Sequence, residues 1–406
     1  MKKRLTALCL VWMLAVAFAL PAFAYTDVKV EEGYDYGRFR DDNITLNVYN
    51  WGIYISEGED LLEVNKAFEE LTGIHIHYTT YDTNETMYAK IKSGGANYDV
   101  VFPSDYMVSK MSGEGLLAKL NFENIPNFAM IGDSYKSLPY DPDNQYSVPY
   151  TWGLVGLAYN KTMVDEADLA QGWRILWDEK YAGQILMFNN SRDAFAIAAR
   201  VLGYPINPEN VQQIQEEAEL LKQQKHLVQA YVMDEVFDKM EGGEAALAAY
   251  YAGDGVLMHN ENPDIEMFIP PEGTNYYVDA ACILNTSANK EAAEMYLNFL
   301  CETEVALANC EYIAYSTPQK NAEALLPEEL RESPLLYPSS DVMANADPFV
   351  NLPEQLNLEM DKAWSEIRSY EQDGWYIAAV AILAAAAAIT ILYLRRRKKK
   401  KIENYE

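Results

Sequence analysis

Thirty tyrosines stand in this chain of 406 residues, and several of them flank acids. The pairings are TYD at 80–82, SDY at 104–106, YYAGD at 250–254 and YYVDA at 276–280. Near the start of the ordered chain, VYNWGIYI crowds Tyr49, Trp51 and Tyr54 around Gly52. A buried strand would be better served there by Val and Ile alone. Ring faces attract cations by about 0.5–2 kcal/mol each as water is excluded. Carboxylates give ammonium groups charge-assisted hydrogen bonds. Acids for the amines and rings for the methylenes are what a flexible organic polycation needs. Nothing in the chain points to catalysis: there is no Gly-rich phosphate loop, no G-x-S-x-G elbow and no H-E-x-x-H. We assign no catalytic residue, no metal site and no cofactor.

The elements that must position these groups follow from periodicity. ITLNVYNW alternates as a strand, and DLLEVNKAFEELTG carries Leu61, Val64, Phe68 and Leu71 on one helical stripe up to Gly73. IHIHYTTY returns as a strand, and NETMYAKIKSGG reads as a helix with Asn84 as its N-cap. YDVVFPS is a buried strand. This β-α-β-α-β order predicts an α/β fold with a mostly parallel sheet, whose ligands bind beyond the carboxyl ends of the strands. Trp51, Tyr54, Ser104 and Tyr106 all lie at such ends. After SVPYTWGLVGLAYN the chain enters a second unit, with helical periods at 163–178, 192–203 and 207–224. GGEAALAAYYAG fits a helix or a small-residue strand, YYVDAACIL a strand, 290–312 one or two helices, and 354–370 a last helix. Two lobes joined by shared segments make a hinged cleft.

Both ends carry targeting patterns. Residues 1–24 read as a secretory signal: Lys2, Lys3 and Arg4, an apolar run, then AFA. The uncharged run 375–394 is long enough to cross a bilayer, and RRRKKKK at 395–401 places the tail 395–406 in the cytoplasm. The expected topology is an exported ectodomain, one lipid-spanning helix and a short inner tail. Of 61 acids and 32 bases, the signal and tail hold two acids and ten bases, so the rest carries 59 acids against 22 bases. That field repels nucleic acid and attracts cations. Cys282, Cys301 and Cys310 have no C-x-x-C spacing, so buried thiols are expected, with a single disulfide left open. His75 and His77 belong on a solvated strand face.

The stretches YNWGIYI, YDTNETMYAKIKSG, YDVVFPSDYMVSKM, YSVPYTWGLVGLAYN and AYSTPQKNA resemble the substrate-binding proteins of spermidine/putrescine ABC importers. The likeness runs from about Leu46 to about Ile367. It implies a two-lobed periplasmic-binding-protein fold of type II, with a polyamine held between the lobes and handed to permease subunits by a monomeric binder. The boundaries it suggests are an acidic arm at 25–43, lobe one at 44–150 with 278–314, and lobe two at 151–277 with 315–372. Carried over by position, Trp51 and Tyr54 would pack on the alkyl chain, and Ser104 and Tyr106 would add a hydroxyl and a ring. Asp193, Asp254 and Asp279 would meet the amines, while Tyr251, Tyr277 and Tyr315 would line the cleft. The chain departs from the family at Gly52 (Thr or Ser), at Asn190 (an acid in spermidine-preferring members) and at Tyr251 and Tyr277 (Trp). These departures leave putrescine and spermidine both open. The alternatives are a membrane-tethered sensory ectodomain, or a binder of another small cationic solute on the same fold.

Overall fold

The computed structural model describes residues 25–370 apart from Glu59 and Ala96. The expected signal (1–24), the span (375–394) and the basic tail lie outside the described residues. Among the described residues, no helix is long and apolar enough to cross a membrane.

The chain opens as its periodicity predicts, with β1 (Thr45–Trp51), α1 (Val64–Thr72), β2 (His75–Tyr81), α2 (Asn84–Lys92) and β3 (Val100–Val101); α3 (Asp105–Gly113), which the periodicity does not mark, follows. β1 lies between β2 and β3, parallel to both. α1 buries Val64, Ala67 and Phe68 and stops at Gly73, whose φ is +77°. A Cβ there would lie 2.9 Å from the Arg40 carbonyl, so only glycine serves as this left-handed cap. The cap of α2 differs from expectation. Thr83 is the N-cap: its hydroxyl accepts from the Thr86 N–H at 3.1 Å, and Thr86 reciprocates. Asn84 is released from capping and turns its amide to Ser104, at 3.0 Å. The imidazoles of His75 and His77 are exposed, as expected.

β4 (Ser147–Asn160) then joins two halves of the molecule. The second half holds β5 (Ile185–Phe188), α4 (Ser191–Leu202), α5 (Val211–Gln224), β6 (Val228–Val232), α6 (Glu235–Glu241), β7 (Leu247–Tyr251), α7 (Ala252–Glu261) and β8 (Ile265–Phe268). β9 (Thr274–Ile283) leads back to α8 (Lys290–Leu300) and α9 (Thr303–Ile313). The strand order is β2-β1-β3-β9-β4-β7-β5-β6. The front half of β4 runs antiparallel to β9, from Ser147 opposite Cys282 to Leu154 opposite Tyr276. Its far half runs antiparallel to β7 and β8. The sheet is therefore mixed rather than mostly parallel, because the two linking strands run against each other and against β3, β7 and β8. The helix expected at 163–178 is a run of 3-10 turns, broken where Gly172 takes φ +55°.

Three apolar clusters result, the smallest of which packs Tyr49, Met87, Val101 and Met111 on the first lobe. Of the larger two, the first gathers Leu46, Val48, Phe68, Phe102, Tyr296 and Phe299; the second gathers Leu157, Trp173, Phe188, Phe195, Leu221 and Leu247. The arm at 25–43 straps the first lobe: Tyr36 is buried and donates to Glu302 at 2.6 Å. Tyr315 also packs in the first core, and Gln319 beyond it donates to the Cys301 carbonyl at 3.2 Å. The boundary expected at 315 thus falls within a segment seated on the first lobe. That segment is polar and buried, with no apolar period to follow. β10 (Ala346–Pro348) pairs with β9, and α10 (Glu354–Ser369) adds Leu356, Met360 and Ile367 to the second core. Cys282, Cys301 and Cys310 are free, buried thiols.

Trp173 is 1% exposed, and its indole N–H donates to the Gly273 carbonyl at 2.9 Å. Removing the ring leaves a large cavity and an unpaired carbonyl, so Trp173→Ala should lower stability by about 3–5 kcal/mol in urea denaturation. A loss under about 1 kcal/mol, the scale of an ordinary surface change, would show that the second core does not rest on this ring.

Candidate functional site

A cavity lies between the lobes, and all ten residues singled out in the sequence line it. Trp51 ends β1; its indole N–H donates to the Phe102 carbonyl at 2.8 Å and its ring leans on Tyr81. Tyr54 donates to one oxygen of Asp279 and shares a hydrogen bond with Thr151 at 2.7 Å. Ser104 precedes the first turn of α3, and Tyr106 within it donates to Glu85 at 2.8 Å. From the second lobe, Asp193 sits in the first turn of α4 and accepts from the Tyr251 hydroxyl at 3.1 Å. Asp254 sits in the first turn of α7 and accepts from Tyr315 at 2.8 Å. Tyr277 and Asp279 lie on β9, on the bridge between the lobes.

The rings form a continuous wall. Tyr251 meets Tyr277 edge to face at 5.4 Å, Tyr277 lies 6.2 Å from Tyr315, and Tyr315 meets Tyr54 edge to face at 5.4 Å. Two glycines make room for it. A Cβ on Gly153, directly across from Tyr277 in the β4–β9 register, would fall 2.5 Å from the Tyr277 hydroxyl. One on Gly253 would fall 2.2 Å from the Tyr315 ring.

Burial dominates the electrostatics. Asp193, Asp254 and Asp279 are 3%, 9% and 4% exposed. Loss of hydration raises their pKa values to about 7, about 8 and about 6 respectively, against the pull of their tyrosine and serine hydrogen bonds. Oδ1 of Asp193, Oδ1 of Asp279 and the Tyr277 hydroxyl are buried with no hydrogen-bond partner. Five aspartates line the cavity, with Asp82 and Asp234 at its rim, against one cation, Arg192. Among the described residues, no three acids, cysteines or histidines are grouped so as to hold a metal ion. The arrangement suits an extended cation with separated charges and an apolar stem.

Some lining residues were not foreseen. Arg192 is wedged between the Tyr106 and Phe349 rings, at 4.7 and 4.6 Å, with one nitrogen held by Asn207 and the Val350 carbonyl. Its place beside Asp193 in SRD was the only sequence signal. Asn190, the position noted in the sequence as lacking an acid, lines the cavity and caps α4 by accepting from the Arg192 N–H at 3.0 Å. Asp82 stood in the TYD motif but was not singled out. Asp234, Asn275 and Phe349 had no aromatic-acid motif to mark them.

Residues 63–338 match the model of the bacterial extracellular solute-binding protein family. The spermidine/putrescine-binding periplasmic protein of Escherichia coli K12 is 35% identical over 309 residues, covering 76% of this chain and 87% of that protein. The putrescine-binding periplasmic protein SpuD of Pseudomonas aeruginosa is 28% identical, covering 81% of this chain and 93% of its own. A solved spermidine/putrescine ABC transporter substrate-binding protein, PotD of Streptococcus pneumoniae, superposes with a TM-score of 0.67 at 34% identity, covering 80% of this chain and 99% of that one. By the family match over residues 63–338 and the likeness to these relatives, the chain belongs to the bacterial extracellular solute-binding protein family, alongside the spermidine/putrescine-binding proteins of ABC transporters.

Proposed function

We propose that this protein captures a polyamine, putrescine or spermidine, in the interlobe cavity and hands it to the permease of an ABC importer. The observation that carries the reading is the set of buried aspartates with open oxygens, spaced along a wall of ring faces. The ammonium groups take the oxygens, and the methylenes lie on the rings of Trp51, Tyr54, Tyr251, Tyr277 and Tyr315. Ser104 and Tyr106 close the first-lobe side. The names of the periplasmic relatives support export, with the leader at 1–24 as its signal and the apolar run at 375–394 as a tether beside the permease. The binder works without a chemical step.

Calorimetry on the purified full chain tests the ligand class. Putrescine or spermidine should bind saturably; binding of arginine alone among putrescine, spermidine, spermine and arginine would sink the assignment. Asp279→Asn should weaken polyamine binding by about 2–5 kcal/mol, the scale of breaking a buried charge pair. Unchanged affinity would remove Asp279 from the site.

The raised carboxyls set a pH dependence. From the ordinary carboxylate range up to about 8, the empty folded protein holds protons that the unfolded chain has already released. Stability of the empty protein therefore falls as pH rises through that window. A polyamine must displace the same protons, so its affinity rises over the window and binding releases protons. Titrations near pH 6.5 in buffers of different ionisation heat should show net release. Net uptake, or no exchange, would mean that these acids do not face the ligand.

A further inference from the structure

Gly52 and Asp234 face each other across the cleft. Gly52 follows β1 on the first lobe, and Asp234 stands before α6 on the second. A Cβ on Gly52 would lie 2.2 Å from Asp234 Oδ2, so any other residue at 52 would displace the carboxylate. Asp234 holds the N-cap position of its helix, yet its side chain caps nothing. Among the described residues, this carboxylate accepts no hydrogen bond and pairs with no cation. An uncommitted Asp at a helix N-terminus is unusual, since capping is what this residue type does best there. Instead it reaches across the cleft to the cavity rim, where the charge of Asp82 from the opposite lobe acts on it and it acts in turn on buried Asp254. Tyr277 lines the same cavity, under the charges of Asp279 and Asp254.

We propose that Asp234 forms a third ammonium subsite, assembled when the lobes close over Gly52, and that it makes the cavity select a triamine such as spermidine over the diamine putrescine. The inference rests on the polyamine reading above and goes beyond it to specificity. Asp193 and Glu85 already have Arg192 as a neighbouring positive charge. Asp254 and Asp279 would serve two ammonium groups. Asp82 and Asp234 then remain, two like charges brought together from opposite lobes. Without a cation between them they oppose closure; a terminal ammonium relieves the repulsion and joins the lobes. Asp234 takes the space that a Thr or Ser side chain would fill at position 52, so the glycine and the aspartate act as a pair.

The test compares the spermidine and putrescine affinities of the full chain, measured by calorimetry, in the wild type, Asp234→Asn and Gly52→Ser. Asp234→Asn keeps the shape and removes the charge; Gly52→Ser keeps the charge and blocks its seat. Spermidine should bind the wild type more tightly. Both variants should lose about tenfold in spermidine affinity, with putrescine changed by less than about threefold, so the preference collapses. Equal losses for both ligands, or no loss for spermidine, would overturn the third subsite while leaving polyamine capture standing. If the wild type bound neither polyamine, both readings would fall together. A melting scan of each ligand-free variant separates misfolding from lost recognition. Since Asp234 is an exposed rim residue with no partner, its variant should melt at or above the wild type.

Discussion

The site depends on carboxylates kept out of water with a single protein cation, Arg192, among them. An unpaired charge loses far more in hydration than a protein interior returns, and raised pKa values are the sign of that conflict at Asp193, Asp254 and Asp279. The empty closed cavity relieves it only by holding protons. A ligand that brings its own positive charges relieves it better, and it does so only where the lobes surround it. Closure and recognition are therefore one equilibrium: the differential affinity of the cation for the closed form is what shifts it.

The architecture serves that equilibrium through two shared strands. β4 and β9 pair with each other in the middle of the sheet order and carry the chain between the cores. Tyr277 and Asp279 sit on this bridge, with Tyr277 packed into the first core. Asp193 and Asp254 instead ride on the second lobe, each within the first turn of a helix, where the backbone N–H groups partly offset their negative charge. Asp82, Ser104 and Tyr106 belong to the first lobe. Ligand groups are thus divided among the linking strand β9 and the two lobes.

The sequence made legible what short-range physics controls. Apolar alternation and 3.6-residue stripes placed β1, α1, β2 and the helices of the second unit. Aromatic-acid pairs drew attention to 104–106, 250–254 and 276–280, all of which reach the cavity. Resemblance to a known family supplied Asp193 and Tyr315, which stand in no such pair. What stayed hidden was set by long-range packing. Asp234 matters because a glycine some 180 residues earlier leaves space for it, and no window of sequence contains both. Arg192 is stabilised by Phe349 from a segment with little period of its own. The Leu247–Tyr251 strand was ambiguous because LAA carries no bulk to separate a helical from an alternating pattern. The cap at Thr83 was missed by one place: both Thr83 and Asn84 are good capping residues, and the choice fell to Ser104, which needs the Asn84 amide.

Tyrosine, rather than tryptophan, is what makes the buried acids tolerable. Each of Tyr54, Tyr251 and Tyr315 lines the cavity and gives its hydroxyl hydrogen to an aspartate: Asp279, Asp193 and Asp254 in turn. An ionised carboxylate offers lone pairs on two oxygens. The tyrosine satisfies one oxygen and fixes the orientation of the group. At Asp193 and Asp279 the second oxygen is left open and buried. A hydroxyl donor is also neutral, so it steadies the acid without competing for the charge that the ligand must meet. A lysine or arginine in its place would bind the carboxylate more strongly and spoil the site. The excess of tyrosine noted in the raw sequence thus has a physical reason: one residue type supplies a face for the methylenes and a half-share of each acid's hydrogen bonds, and leaves the other half for the ammonium.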